Sequence, residues 1–162
     1  RKIHRLYKNA WDGNWGFVPP SWDEFWHTTN DLKRVLAVDF SFVAEIDDEV
    51  IGFMLIVRDL NRLLPAIPSG RLWPWNFVKL LFSVQKILSG RVVLLGLETK
   101  HRHRGLFPLF AYEAARRALE IQAEGAEASW VLEDNESIVA PLEAMGLQPY
   151  KRWRVYEKEL ST

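Results

Sequence analysis

The spacing of apolar and polar positions changes several times along the chain. The first segment, "KIHRLYKNAW", has apolar side chains at helical spacing, so we predict a helix that begins almost at Arg1. A second helix is predicted after "GNWGFVPP", because Ser21 with Glu24 three residues later forms a capping-box pattern. The runs "FSFVAEI" and "VIGFMLIV", separated by three acidic residues, then indicate a β-hairpin.

An insert rich in proline and tryptophan, residues 63–90, follows the hairpin. Apolar residues repeat at helical spacing from Asn76 to Leu88, which predicts a helix with one narrow polar stripe. Its broad apolar side favours burial in the core, and a hydrophobic lid over a ligand site is the alternative. A membrane-surface helix fits less well, because two lysines are few for that role. The aromatic cluster also suits a dimer or interdomain contact.

The second half of the chain alternates strands and helices. "RVVLLGLET" predicts a central strand whose Gly96 marks a bulge or a close backbone approach. Pro108–Glu124 predicts a helix with Gly125 as its C-cap, and "ASWVLE" predicts the next strand. A further helix through Met145 and two short C-terminal strands complete the pattern. The strand–helix–strand order implies parallel pairing in this half.

This order of elements predicts an α/β fold of the α+β kind, with a mixed sheet flanked by helices. With 162 residues, 48% hydrophobic and 26% charged, residues 1–162 suit a single folded domain. The zero net charge argues against a dedicated nucleic-acid binder. The absence of cysteine excludes disulfides and thiol chemistry and is compatible with a cytoplasmic protein. No apolar run is long enough for a membrane span.

The most unusual stretch is "ETKHRHRGLF", between the central strand and the following helix. A short loop with glycine that leads into a helix leaves backbone N–H groups free to hold an anion. Gly105 allows close backbone approach, and Arg102 and Arg104 add charge-assisted bonds. The pattern therefore indicates a phosphate site, and a solvated basic loop is the alternative.

A metal site is not predicted in this loop. His101 and His103 alternate along an extended segment, but the other histidines, His4 and His27, are distant in sequence. Glu98 alone is a poor third ligand, and no cysteine is available.

The loop resembles the acyl-CoA-binding loop of the GNAT acyltransferase superfamily, R/Q-x-x-G-x-G/A. It reads R-H-R-G-L-F at Arg102–Phe107, and downstream "N-x-x-I-x-x-x-L-E-x-M-G-L" is similar to a second element of that family. The resemblance implies a GNAT-like mixed sheet whose parallel fourth and fifth strands splay apart. Because such proteins usually begin with a strand before the first helix, the start at Arg1 indicates a fragment or a trimmed N-terminus.

The resemblance also implies the cofactor contacts. The end of the fourth strand contacts the pantetheine arm, the loop binds the pyrophosphate, and a residue after the fifth strand touches either CoA or the acceptor. The residues concerned are Leu97, Glu98, Thr99, Arg102, His103, Arg104, Gly105, Leu106, Phe107 and Asn135. Capping of the last helix is the competing role of Asn135.

Three positions depart from the family pattern. Phe107 replaces the last Gly/Ala of the loop, and His103 stands where glycine is common. Leu142 occupies the position where many relatives have a tyrosine that protonates the departing thiolate. Backbone N–H groups survive the first two changes, but the third requires another acid.

Amide formation needs a base, a polarised carbonyl and a proton for the thiolate. A strand N–H near Leu97 or Glu98 is the candidate donor that polarises the thioester carbonyl. Glu98 and Glu133 are the candidate bases, and a salt bridge in the loop is the alternative role of each. Asp134 fits helix capping better than catalysis. Tyr150 and Tyr156 are candidate acids, although burial of their rings is the competing interpretation.

The predicted function is transfer of an acyl group, acetyl first among the expectations, from acyl-CoA to an amine of a small molecule or peptide. The alternatives are an acyl-CoA-binding regulatory module without catalysis and a structural domain of a larger protein. No nucleic-acid partner is predicted, and a homodimer or an adjacent domain would contact the aromatic insert.

Overall fold

A computed structural model describes residues 1–33, 35–67, 75–84, 86–102 and 104–158, and of residues 66, 77 and 79–81 the backbone alone. The chain divides into two compact units, Arg1–Trp130 and Val131–Thr162. Each unit is described by itself. No helix in the described ranges is long and apolar enough to cross a bilayer.

The described residues of the first unit form four α-helices and a four-stranded sheet. In chain order its elements are α1 (Lys2–Trp11), α2 (Trp22–Leu32), β1 (Phe42–Ile46), β2 (Glu49–Arg58), α3 (Trp75–Val84), β3 (Ser89–Leu97), α4 (Leu106–Glu120) and β4 (Gly125–Ala128). One-turn 3-10 helices lie at Val38–Phe40, Leu60–Arg62, Leu64–Ala66 and Thr99–His101. The second unit contains α5 (Glu136–Ala144).

The first two helices and the hairpin confirm the sequence pattern. The Ser21 hydroxyl accepts the Glu24 backbone N–H, while the Glu24 carboxylate accepts the Ser21 backbone N–H, which completes the capping box of α2. β1 and β2 pair antiparallel through a tight turn at Asp47 and Asp48. Both residues have positive φ, 48° and 64°, as a two-residue turn matched to the strand twist requires.

The sheet has the order β1-β2-β3-β4, with β3 antiparallel to β2 and parallel to β4. This confirms the mixed sheet and the parallel pairing predicted for the second half. Leu55 pairs with Leu94, but Ile56 pairs with Val92, so Val93 is an extra residue that forms a bulge in β3. The bulge therefore lies at Val93 and not at Gly96.

Gly96 instead allows neighbouring groups to approach the strand closely, which is the alternative role that the sequence predicted for it. A Cβ added there would lie 2.6 Å from Cε1 of Phe53 and 3.0 Å from Cζ3 of Trp11. Those two rings stack with centroids 6.1 Å apart. Phe53 is 1% exposed and packs with Leu6 in the core between α1 and the sheet. The missing side chain at Gly96 therefore lets α1 rest directly on the sheet.

The opposite face of the sheet is covered by α4. Phe110 is buried and stacks on Phe42 of β1, with centroids 6.1 Å apart. Ion pairs run along α4, with Glu113 accepting from both Arg116 and Arg117. These hydrogen bonds hold the pKa of Glu113 at about 2, so its carboxylate stays charged at neutral pH. Arg117 also lies over the Phe42 ring, which ties the helix to the sheet edge.

The helix of the insert is shorter and more exposed than predicted. It ends at Val84 rather than Leu88, because the chain must extend to enter β3 at Ser89. Val84 is buried, whereas Val78 and Phe82, expected on the buried face, are 44% and 75% exposed. Trp73 and residues 68–74 around it lie outside the described residues.

The strand predicted at "ASWVLE" is shifted towards the N-terminus. β4 covers Gly125–Ala128, and the last bond to β3 runs from the Ser129 N–H to the Val92 carbonyl. Gly125 therefore begins a strand instead of capping α4, whose C-cap residue is Ile121. The positive φ of Gly125, 145°, explains the glycine at this entry to the sheet.

In the second unit, Asn135 occupies the N-cap position of α5 but makes no side-chain cap bond, and its Oδ1 accepts from the Ser137 hydroxyl at 2.6 Å. The helix is followed by Gly146 at φ 81°, a conformation that favours glycine. The prediction of two C-terminal strands is wrong for residues 147–158, which form no regular structure. Tyr150 and Tyr156 are exposed there, so their rings do not fill a core.

We predict that Gly96→Ala lowers the free energy of unfolding by about 1–3 kcal/mol, because the new methyl group collides with two core rings. Phe53→Leu removes one of the rings that the methyl group meets. In that background the Gly96→Ala substitution should cost less, because the two sites are coupled. Urea denaturation of the four proteins measures this coupling, and an equal cost in both backgrounds would contradict the close approach.

Candidate functional site

The central strand β3 extends beyond its parallel partner. β4 pairs with β3 only over four positions, from Ser89 opposite Gly125 to Val92 opposite Ala128. After the bulge at Val93, β3 continues to Leu97 and stays paired with β2 alone among the described strands. One edge of this part of β3 is therefore left without a neighbouring strand in the part of the chain that the structure describes.

The backbone alternation of β3 determines which groups face that open edge. The Glu98 N–H donates to the Ile51 carbonyl of β2 at 2.9 Å, so the backbone of Glu98 is directed to the inner neighbour. In an antiparallel pair the backbone groups of successive residues face opposite sides. The N–H and C=O of Leu97 consequently face the open edge. Of the two backbone N–H groups predicted to polarise the thioester carbonyl, that of Leu97 can reach a ligand at the open edge, whereas that of Glu98 is bonded to Ile51.

The N-terminus of α4 follows β3 after the 3-10 turn Thr99–His101. Gly105 is its N-cap residue with φ 74°, a left-handed conformation that favours glycine. The first bond of the helix runs from the Leu109 N–H to the Gly105 carbonyl, and no side chain caps this end. The N–H groups of Leu106 and Phe107 precede that bond, so they resemble the donors that hold anions at helix ends.

The arginines of the loop differ in their surroundings. Arg104 is exposed, whereas Arg102 is half-buried and its Nη2 lies 3.5 Å from the Ala10 carbonyl at the end of α1. Phe107 is 8% exposed, so this departure from the family pattern places its ring in the core and leaves its backbone at the helix end. His103, the other departure, lies outside the described residues.

Glu98 lies at the end of β3 beside α1. With Asn9 and the Arg5–Glu49 ion pair it lines a small cavity of about 130 Å³. One oxygen of its carboxylate is 3.2 Å from the Lys100 ammonium group. The salt bridge expected as its alternative role is therefore present, yet the Glu98 side chain keeps 35% of its surface exposed. A carboxylate in this position can still accept a proton from a molecule in the cavity.

His101 is a site residue whose role the sequence did not indicate. It is 7% exposed, its Nε2 lies 3.6 Å from the second carboxylate oxygen of Glu98, and its Nδ1 is buried without a hydrogen-bond partner among the described residues. The spacing of three residues from Glu98 across a tight turn was the available indication. In this arrangement the imidazole can orient the Glu98 carboxylate.

The remaining predicted site residues belong to the second unit. Glu133, Asp134 and Asn135 lie just before α5, and Tyr150 lies in the irregular segment after it. The catalytic roles of Glu133 and Tyr150 stay predictions. Within the described ranges, no group of three or more His, Asp or Glu side chains is arranged to hold a metal ion.

Two curated relatives are similar along nearly the whole chain. Protein YghO of Escherichia coli (strain K12) is 31% identical over 164 residues, and a protein of Caulobacter vibrioides (strain NA1000 / CB15N) named bacterial ceramide synthase is 32% identical over 164 residues. Each alignment covers 98% of this chain but only 42% of the relative, so the chain spans less than half of their length. No family model matches the chain.

Solved structures of N-acetyltransferases are similar to this chain in fold. The complex of AAC(6')-Iy with a CoA-containing bisubstrate analogue covers 98% of this chain and 90% of its own, with a TM-score of 0.59 and 16% identity. A possible acetyltransferase from Clostridium difficile 630 covers 99% and 90%, with a TM-score of 0.60 and 15% identity. A ribosomal-protein-alanine N-acetyltransferase from Brucella melitensis aligns over 98% of this chain and 91% of its own, with a TM-score of 0.58 and 14% identity. At these identities the likeness is one of fold.

Proposed function

The chain has the fold of the GNAT acyltransferases, and on that premise we propose that it transfers the acyl group of an acyl-CoA to an amine. The observation that carries the proposal is the open edge of β3 beside the N-terminus of α4. An amide-containing arm can pair with the Leu97 backbone there, while a pyrophosphate accepts from the N–H groups that follow Gly105. The presence of CoA in one structural neighbour supports the same assignment.

Glu98 is our candidate for the general base. The substrate ammonium loses one proton to a carboxylate, and the neutral nitrogen forms a bond to the thioester carbon. The C–S bond then breaks, the nitrogen loses its second proton and the leaving thiolate takes up a proton, so the products are an amide, a free thiol and the proton that the carboxylate returns to solvent. Lys100 and His101 flank the Glu98 carboxylate and orient it. The Leu97 N–H suits the oxygen of the thioester carbonyl, where negative charge develops. We propose Tyr150 as the group that donates a proton to the thiolate.

We further propose that the accepting amine carries a long hydrocarbon chain. One curated relative is named bacterial ceramide synthase, and a ceramide is an amide of a long-chain amino alcohol. The insert between β2 and β3 contributes apolar side chains on α3 that remain exposed in the described structure. An amine with a long chain can bury methylene groups against apolar surface, whereas a short polar amine cannot.

The phosphate contact is tested by a matched pair of variants, Gly105→Asp and Gly105→Asn. Both side chains tolerate positive φ, and a Cβ at this position meets no other atom within 4 Å. Only the aspartate adds a negative charge beside the pyrophosphate. We expect CoA to bind the aspartate variant at least about tenfold more weakly than the asparagine variant by calorimetry.

Acetyl-pantetheine, which lacks the pyrophosphate, is the control ligand. Its affinity should be the same for the two Gly105 variants, because the added charge has no phosphate to repel. Equal CoA affinity of both variants would contradict phosphate binding at α4.

Chain-length dependence tests the acceptor class. With acetyl-CoA as donor, we expect kcat/KM for dodecylamine, kept below its micelle concentration, to exceed that for propylamine by at least about tenfold, because each buried methylene group favours binding. Release of free thiol measures the rate. A higher kcat/KM for propylamine would contradict a long-chain acceptor, and no release with any amine would favour the non-catalytic binding module.

The base assignment predicts that Glu98→Gln lowers kcat by about 100-fold, because an amide cannot accept the proton. The control is Glu49→Gln, which changes a second carboxylate lining the same cavity and should retain kcat within about threefold. Single-turnover rates of the two variants and of the unmodified chain give the comparison. An equal loss in both variants would show that the charge of the cavity, rather than Glu98, matters.

A further inference from the structure

One face of α3 is apolar and open to solvent. Trp75, Val78 and Phe82 are 82%, 44% and 75% exposed, and they follow one another at spacings of three and four residues. Residues at these spacings lie on the same side of a helix. Val84, on the opposite side by helical spacing, is 8% exposed and belongs to the core. The helix therefore buries one side and presents aromatic and aliphatic side chains on the other.

The segment around this face contains no acidic residue. From Leu60 to Leu97 the chain has none of its 21 aspartate and glutamate residues but five of its 21 lysines and arginines. The five are Arg62, Arg71, Lys79, Lys86 and Arg91. In a chain with zero net charge, this segment concentrates positive charge next to exposed aromatic rings.

Two of the five cations are neutralised by carboxylates outside the segment. Arg62 pairs with Glu124 at 3.6 Å, and Arg91 pairs with Glu127 at 3.1 Å. Lys86 is exposed just after α3. Arg71 lies outside the described residues and only the backbone of Lys79 is described, so these two belong to the group by sequence position alone. Lys86, close to the apolar face in sequence, is therefore accessible to an external partner that carries negative charge.

We propose that the exposed face of α3, defined by Trp75, Val78 and Phe82, docks on the surface of a bilayer that contains anionic phospholipid. Tryptophan favours the boundary between headgroups and acyl chains, and phenylalanine and valine enter the apolar layer below it. The exposed Lys86 close to this face attracts anionic headgroups. The sequence pattern alone ranked this role low because the helix has two lysines, but the exposed Trp75 and Phe82 and the acid-free segment change that ranking.

Docking of this kind complements the proposed function, on which it partly rests, because a long-chain amine resides in a bilayer. Exposed aromatic residues elsewhere have different surroundings. Trp15 is 70% exposed but lies near Asp12, and Trp130 is 88% exposed with Glu127 and Glu133 close in sequence. Acidic neighbours disfavour contact with an anionic surface. Residues 147–156 also combine exposed aromatic rings with cations and no acid, but they form no regular structure. The aromatic residues of α3 differ because they lie on one helical face within a longer acid-free segment.

The test is sedimentation of the full chain with vesicles of phosphatidylcholine alone and of phosphatidylcholine with phosphatidylglycerol at 3:1, without acyl-CoA or amine. We expect binding to the anionic vesicles that weakens as salt is raised. The double variant Trp75→Ala/Phe82→Ala should bind about tenfold more weakly. Lys86→Glu should weaken binding to anionic vesicles in particular. Trp15→Ala, an exposed tryptophan outside the face, is the control and should bind like the unmodified chain.

Three results would overturn the proposal. The first is failure of the unmodified chain to bind anionic vesicles. The second is binding of the Trp75→Ala/Phe82→Ala variant as tight as that of the unmodified chain. The third is loss of self-association by that variant in light scattering without any change in vesicle binding. The last result would assign the face to a second copy of the chain. Because no turnover is measured, the outcome is independent of whether the acyl transfer itself is confirmed.

Discussion

β4 is shorter than its neighbour β3, and this difference leaves one edge of β3 open among the described strands. β4 bonds to β3 over four positions and then separates from it, whereas β2 follows β3 along its whole length. The bulge at Val93 changes the alternation of β3 directly after the last paired residue, Val92. As a result β3 is held firmly on one side and leaves backbone donors and acceptors unpaired by any described strand on the other.

The packing on both faces of the sheet keeps this edge in place. On one face Gly96 admits the rings of Trp11 and Phe53, so α1 lies close to the strand and brings Arg5 and Asn9 to the cavity beside Glu98. On the other face Phe110 anchors α4, whose N-terminus follows the end of β3. Donors for an amide and donors for a phosphate therefore occur close together in the chain, on rigid elements.

Local patterns predicted the parts of the fold that local physics controls. The capping box at Ser21, the acidic turn of the hairpin and the glycine at position 105 each have a conformational reason within a few residues, and the structure has all three. The loop pattern, together with its family resemblance, also predicted the fold class correctly.

The predictions that the structure corrects concern residues whose conformation depends on a partner element. Gly96 could mark a bulge or a close approach, and only the position of Phe53 distinguishes them. Gly125 resembled a helix cap, but pairing with Ser89 makes it the start of a strand. The C-terminal segment has strand-like composition, yet residues 147–158 have no ladder in the described structure. The contact of His101 with Glu98 likewise depends on the 3-10 turn between them.

The proposed function depends most directly on acyl-CoA binding at the unpaired backbone edge of β3. Hydrogen exchange at single amides, read by NMR with and without CoA, tests this. Without ligand, the Leu97 amide should exchange on the order of tenfold faster than the Glu98 amide, which donates to Ile51. CoA should slow exchange at Leu97 and leave Glu98 unchanged. Slow exchange of Leu97 without ligand, or no change when CoA binds, would contradict this role of the β3 edge.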